Sequence, residues 1–216
     1  MKTTNRGGAR RSFHMWCADQ RDDAGNNVPN SSDGRRMGGL PSILAPGLAA
    51  VLCGTAVSEN SESRGHYYAG PGNDFWNLLY QSGLTSELLT PERDRELIGR
   101  GLGVTDLVRG MSQSNDQRLH AKYDVPGLIS VLREYGPRFV AFTSLEAGKA
   151  AAGHVGVRRP MLGLQSWSLA GCRVYVLPSP SGANRRRDYQ GKPTRLQWWA
   201  DFAELLSKRE ELATFP

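Results

Sequence analysis

The sequence predicts an α/β fold, a three-layer α/β/α sandwich with a central, mainly parallel sheet. Three observations carry that expectation. Short apolar runs at 51–53 (Val-Leu-Cys), 138–142 (Arg-Phe-Val-Ala-Phe) and 173–177 (Arg-Val-Tyr-Val-Leu) have the length of buried strands. Amphipathic stretches at 125–135 and 194–212 recur at helical spacing among and after them. The first and last of these runs pass directly into loops of Gly, Pro and Ser, which can stand together on one rim of a parallel sheet, at the carboxyl ends of its strands.

In chain order, residues 1–39 are rich in Gly, Asn and Ser and show no sustained period. Lys2, Arg6, Arg10, Arg11, Arg21, Arg35 and Arg36 outnumber Asp19, Asp22, Asp23 and Asp33 there. This segment is expected to be a disordered basic tail, either a loose tether to a polyanionic partner or an extension without a role. Residues 40–216 form the one globular domain. Leu40 to Leu44 and the turn Ala45-Pro46-Gly47 lead into the first strand, which is expected to stop at Gly54. Asn73 starts a helix carrying Phe75, Leu78 and Leu79 and ending at Gly83. Thr90, Pro91 and Glu92 supply an N-cap, a first-position proline and a first-turn acid, so a second helix runs to about Ile98. Gly103 to Leu107 reads as a short strand ending in a loop. A helix over 125–135, a strand over 138–142, a helix over 145–152 and a strand over 173–177 follow. The final helix, 194–212, turns Trp198, Trp199, Phe202, Leu205 and Leu206 toward the core.

Composition fits a globular domain with a full core: 216 residues, 39% hydrophobic and 22% charged. No apolar run approaches the roughly 18 residues of a membrane span, and the amino terminus lacks an apolar signal region, so a cytoplasmic protein is expected. Cys17, Cys53 and Cys172 fall singly, with no Cys-x-x-Cys spacing. They suggest neither a disulfide framework nor a metal site, and no cofactor is implied. A net charge of +6 favours a polyanionic partner.

The stretch 51–76 concentrates unusual residues. His66, Tyr67 and Tyr68 lie between Gly65 and Gly70, with Pro71 and Gly72 stiffening the turn. Flat rings held beside a strand end suit a planar ligand such as a base; the same tyrosines also suit a plug for the top of the sheet. Downstream, Leu177 to Arg185 reads Leu-Pro-Ser-Pro-Ser-Gly-Ala-Asn-Arg. Together these loops resemble the uracil-DNA glycosylase superfamily, most closely its mismatch-specific uracil/thymine branch. Gly65, Tyr68, Pro71, Asn73, Phe75 and Trp76 match that branch's aromatic segment, and the second loop resembles its Leu-Pro-Asn-Pro-Ser-Gly motif. The resemblance runs from about Leu40 to Leu212.

What the resemblance implies is a monofunctional enzyme that flips uracil, or another damaged pyrimidine, out of a mispair and hydrolyses its N-glycosidic bond. Gly54, Thr55, Tyr67, Tyr68 and Asn73 then form the base pocket, Tyr68 stacking on the base and backbone N–H groups near Tyr67 and Tyr68 reading its carbonyls. The sequence departs from the branch at one position: Ala56 stands where the family has the asparagine that positions the attacking water. Asp106, on a strand expected beside the first, is the best substitute, because a carboxylate accepts a proton and stabilises positive charge on the sugar. It also suits a loop cap. His66, Ser58 and Ser61 are weaker helpers. In the second loop Gly182, Ala183, Asn184 and Arg185 take the positions that enter the stack, Ala183 as a small wedge. Ser179 and Ser181 suit phosphates, and Arg186, Arg187, Lys192 and Arg195 extend a basic edge. The implied partner is double-stranded DNA containing uracil or mismatches, bound by a monomer. Two other readings stay open: a silent binder of damaged DNA, consistent with Ala56, and a flavodoxin-like protein that binds a small nucleotide in the same crevice. The latter would lack both a phosphate-loop lysine and a Gly-x-Gly-x-x-Gly turn.

Overall fold

A computed structural model of the chain describes residues 39–112, 122–186 and 188–208. The expected tail of 1–39 therefore lies outside the described residues except for Gly39, as do Arg187 and the last turn expected of the final helix. Among the described residues five strands form one sheet in the order β2-β1-β3-β5-β4. They are β1 (Ala50–Val57), β2 (Leu102–Ser112), β3 (Phe139–Phe142), β4 (Gly163–Leu169) and β5 (Cys172–Val176). The first four neighbours in that order run parallel, and β4 pairs antiparallel with β5 at the edge. The helices are α1 (Glu59–Arg64), α2 (Phe75–Gln81), α3 (Val125–Tyr135), α4 (Leu145–His154) and α5 (Arg195–Ser207), with a 3-10 helix over Pro91–Arg100.

The two-residue period of β1 explains the layers. Ala50 and Leu52 face one way, into a cluster with Phe75, Leu79, Leu97, Trp199 and Phe202 from α2, the 3-10 helix and α5. Val51 and Cys53 face the other way, against Val125, Leu128, Leu132, Ala147 and Ala151 from α3 and α4. Strands buried on both faces read as continuous apolar runs, which is why β1, β3 and β5 are visible in the sequence.

Several boundaries differ from expectation. β1 does not stop at Gly54 but pairs on through Ala56 opposite Val108. β2 likewise continues past Asp106 to Ser112, so Asp106 lies inside a strand rather than at its end. The polar loop after β1 contains α1, capped by the Ser58 hydroxyl, which accepts a bond from Ser61 N. The helix expected at 90–98 is a 3-10 segment with a kink at Arg93. β4 was not expected at all: its alternating exposed and half-buried side chains lack an apolar run.

Candidate active site

The chain leaves β1 for β2 on one side and then returns through α3 to β3 on the other. The carboxyl end of β1 is thus the point where the sheet's connections diverge, the place where an open α/β sheet has a crevice. A cavity of about 280 Å³ lies there, near the lower end of small-ligand pockets. Its wall takes Gly54–Ser58 from β1 and the turn after it, Tyr67, Tyr68, Gly70, Pro71 and Asn73 from the aromatic loop, and Asp106 from β2. Asn60 and Ser61 of α1, Thr143 and Ser144 at the end of β3, and Ser179–Gly182 after β5 complete it.

Gly54 and Asp106 are partners in the β1–β2 register, so their side-chain directions share a face. The missing side chain of Gly54 is what admits the carboxylate: a Cβ at residue 54 would collide with Asp106 Oδ1 and lie 3.1 Å from the Tyr68 hydroxyl. Asp106 is only 5% exposed, and among the described residues its Oδ2 has no hydrogen-bond partner. Burial without a compensating donor disfavours the charged form and pushes the Asp106 pKa up to about 7. An uncompensated buried carboxylate at a cavity wall is costly for folding, and such groups concentrate at functional sites.

The aromatic loop is held from behind. Phe75 of α2 stacks beneath Tyr68, ring centroids 3.7 Å apart and planes within 11°. Tyr68 adopts a positive φ of 54°, a conformation uncommon for a bulky residue and worth a functional question. Its hydroxyl shares a 3.0 Å hydrogen bond with Thr143 Oγ1. Burial, and next the Asp106 charge, push the Tyr68 and Tyr67 phenols upward, so both stay neutral. Asn73 uses Oδ1 to accept the Phe75 N–H at 3.0 Å, which leaves its amide nitrogen as the remaining donor toward the cavity.

Several sequence-predicted residues take other positions. His66 does not border the cavity; its Nδ1 lies 3.3 Å from Asp94 Oδ2 in the 3-10 helix. The Tyr67 N–H is not free to read a base, because it donates to the same Asp94 oxygen at 3.2 Å. Ser58 and Ser61 border the cavity, but their hydroxyls are engaged in capping α1 and in accepting Ala69 N. Ala56 and Thr55 line the cavity, the former with only a methyl group.

In the second loop Ser179 Oγ accepts Ser181 N and Ser181 Oγ accepts Ala183 N, so those N–H groups are already engaged within the loop. Asn184 Nδ2 is tied to Ser179 O at 3.0 Å. Gly182 and Ala183 are exposed at the tip, with Arg185 and Arg186 exposed beyond them. Lys192 and Arg195 do not extend a free basic edge. Lys192 pairs with Asp201 and lies over the Trp198 ring, and Arg195 pairs with Asp74.

Sequence reasoning missed Thr143 and Ser144, although both directly follow a buried strand whose end could have been searched in the same way. It missed Asp94 too, an acid on an otherwise charged segment with no signal of burial.

The sequence model of the Uracil DNA glycosylase superfamily matches residues 41–203. Among solved structures the chain is similar to a solution NMR structure of a Methanosarcina acetivorans protein provisionally named a uracil DNA glycosylase. Identity is 22% over 78% of this chain and 98% of that one, with a TM-score of 0.48.

Proposed function

The chain belongs to the uracil DNA glycosylase superfamily, and from that premise we propose that it is a monofunctional glycosylase removing uracil from mispairs in DNA, above all opposite guanine, with Asp106 as its general base. One observation carries this reading: a buried carboxylate with an unused oxygen stands on the wall of an aromatic cavity at the carboxyl end of β1. In the mechanism proposed, the flipped base stacks on Tyr68, which Phe75 backs. Asn73 Nδ2 donates to a base carbonyl. Asp106 takes a proton from water, whose oxygen bonds to the sugar carbon as the glycosidic C–N bond breaks and its electron pair leaves with the base. The ionised carboxylate also favours positive charge developing on the sugar. The departing base then takes up the proton held by Asp106, directly or through water, which restores the carboxylate and leaves an abasic site.

In this scheme Asp106 takes over the water-positioning task that an Ala56 methyl cannot perform. Exposed Gly182 and Ala183 enter the vacated stack, while Arg185 and Arg186 face the phosphates and the orphaned partner base.

The test is excision from end-labelled oligonucleotides carrying uracil opposite guanine, uracil opposite adenine, uracil in a single strand, and thymine opposite guanine, followed by alkali. Breaks concentrated at mispaired uracil are expected. Ala56 supports a second reading, a silent binder of damaged DNA; retained binding with no breaks on any substrate would establish it instead.

A further inference from the structure

Arg195 stands in the first turn of α5, in a run of basic residues that looks like a DNA-facing edge, yet its side chain is only 18% exposed. Its guanidinium is spent on two loops at once. Nη1 donates to Ser179 O at 3.1 Å and to Ser181 O at 3.0 Å, both in the loop after β5. Nη2 donates to Asp74 Oδ2 at 2.8 Å, at the end of the aromatic loop. Asp74 is itself held: its backbone N–H donates to Pro180 O at 2.9 Å, and its other carboxylate oxygen accepts Asn77 Nδ2 at 3.1 Å. The loops also touch through bare backbone. A Cβ at Gly182 would collide with the Gly72 carbonyl, so only glycine lets the second loop come this close.

We propose that Arg195 is a positioning residue that clamps the loop after β5 to the base-pocket loop, so that opening of the stack and capture of the base occur at one fixed spacing. The inference rests on the glycosylase reading above, and it concerns how the two halves of that site are kept in register. A planar fork with donors on separate nitrogens reaches carbonyls on one loop and a carboxylate on the other. Lysine offers its donors from a single point and cannot span them. The clamp keeps Arg195 off the DNA, which separates it from Arg185 and Arg186. Its loss should hurt most where the enzyme must itself open a stacked duplex, and least where the base is already unstacked.

Single-turnover excision is measured for the unaltered protein, Arg195→Ala and Arg195→Lys. The substrates are uracil opposite guanine in a duplex and the same uracil inside an unpaired bubble. Both variants are expected to slow duplex excision by about tenfold or more, as misplacement of a site by a fraction of an ångström does, with a smaller loss on the bubble. Equal losses on both substrates would overturn the proposal.

Amide exchange supplies a readout independent of catalysis. Arg195→Ala should speed exchange of the Asp74 amide and of the amides of Ser179, Ser181, Gly182, Ala183 and Asn184 together; an unchanged Asp74 amide would overturn the clamp even if the unaltered protein excises nothing. That last result would defeat the glycosylase reading on its own account. If Arg195→Ala does not fold, Asp74→Asn removes the same ion pair with little change of shape and is held to the same outcomes.

Discussion

Asp94 and Asp106 are both buried beside the aromatic loop, 4% and 5% exposed, and the contrast between their surroundings separates scaffold from site. Asp94 is engaged through Oδ2, which accepts the Tyr67 N–H and faces His66 Nδ1. Among the described residues Asp106 has no such partner for Oδ2, and Gly54 opposite it is cut back to leave room. A buried carboxylate that accepts backbone hydrogen bonds holds a loop in shape. One that keeps an oxygen unpaired weakens the fold and is retained for what it does. The comparison is broken if the two aspartates respond alike to substitution.

The largest difference is expected from Asp106→Asn. Loss of the general base should cut excision roughly 10²–10⁴-fold while DNA binding persists. The stability effect should run the other way. The folded-state pKa of about 7 lies above the ordinary carboxylate value of 3.8, so the folded protein holds its proton more tightly than the unfolded chain. Stability therefore falls as pH rises between about 4 and 7, and the ionised form costs on the order of 4 kcal/mol above that window. Asp106→Asn should remove most of this slope, raising the melting temperature at pH 8 relative to the unaltered protein. Excision by the unaltered protein should rise with pH and level off above about 7, as a base must be ionised to act. A flat rate profile from pH 5 to 8, or full activity in the asparagine variant, would remove Asp106 from the mechanism.

Gly54→Ala tests the same carboxylate from the opposite strand. The added methyl displaces Asp106 Oδ1 and crowds the Tyr68 hydroxyl, moving two groups of the site together. We expect excision to fall by about 10²-fold, the scale of a misplacement near 1 Å, with the circular dichroism spectrum unchanged. Wild-type kinetics in this variant would show that the close approach of Gly54 and Asp106 is irrelevant.

Asp94→Ala should show the opposite balance. It leaves the buried Tyr67 N–H without an acceptor, a loss of about 1–3 kcal/mol, and so should lower the denaturation midpoint clearly. Activity should fall only several-fold, because Tyr68 keeps its stacking on Phe75 and its bond to Thr143. Loss of excision as deep as in Asp106→Asn, at unchanged stability, would merge the two aspartates into one function.

Much of the scaffold is legible in the sequence, for a physical reason that also explains the gaps. β1, β3 and β5 are buried on both faces, so each is an apolar run, and α3 carries a clean stripe of Val125, Leu128 and Leu132. β4 is an edge strand with half its side chains in solvent, and α1 is a single polar turn-and-a-half held by Ser58, so neither has a pattern to read. The residues of the site could be named from the chain, but not their partners. Whether an acid is satisfied, as Asp94 is, or stranded, as Asp106 is, depends on strand register and on loops far away in sequence. The same holds for the arginines: nothing in the string 185–195 distinguishes Arg195, turned inward onto Asp74, from Arg185, left at the rim.

That difference between arginines supports the smallest expected effect. Arg185 is exposed just beyond the tip of the second loop, in position to meet a phosphate or the base left behind by flipping. Arg185→Ala should weaken duplex binding several-fold and lower the slope of log affinity against log salt by about one, the signature of a single lost phosphate contact. Folding stability should not change, since an exposed side chain leaves no buried partner behind. If the salt slope holds while the preference for guanine opposite uracil is lost, Arg185 reads the orphaned base instead of the backbone. If both are unchanged, the DNA path runs elsewhere on the rim, and Arg186 becomes the residue to alter.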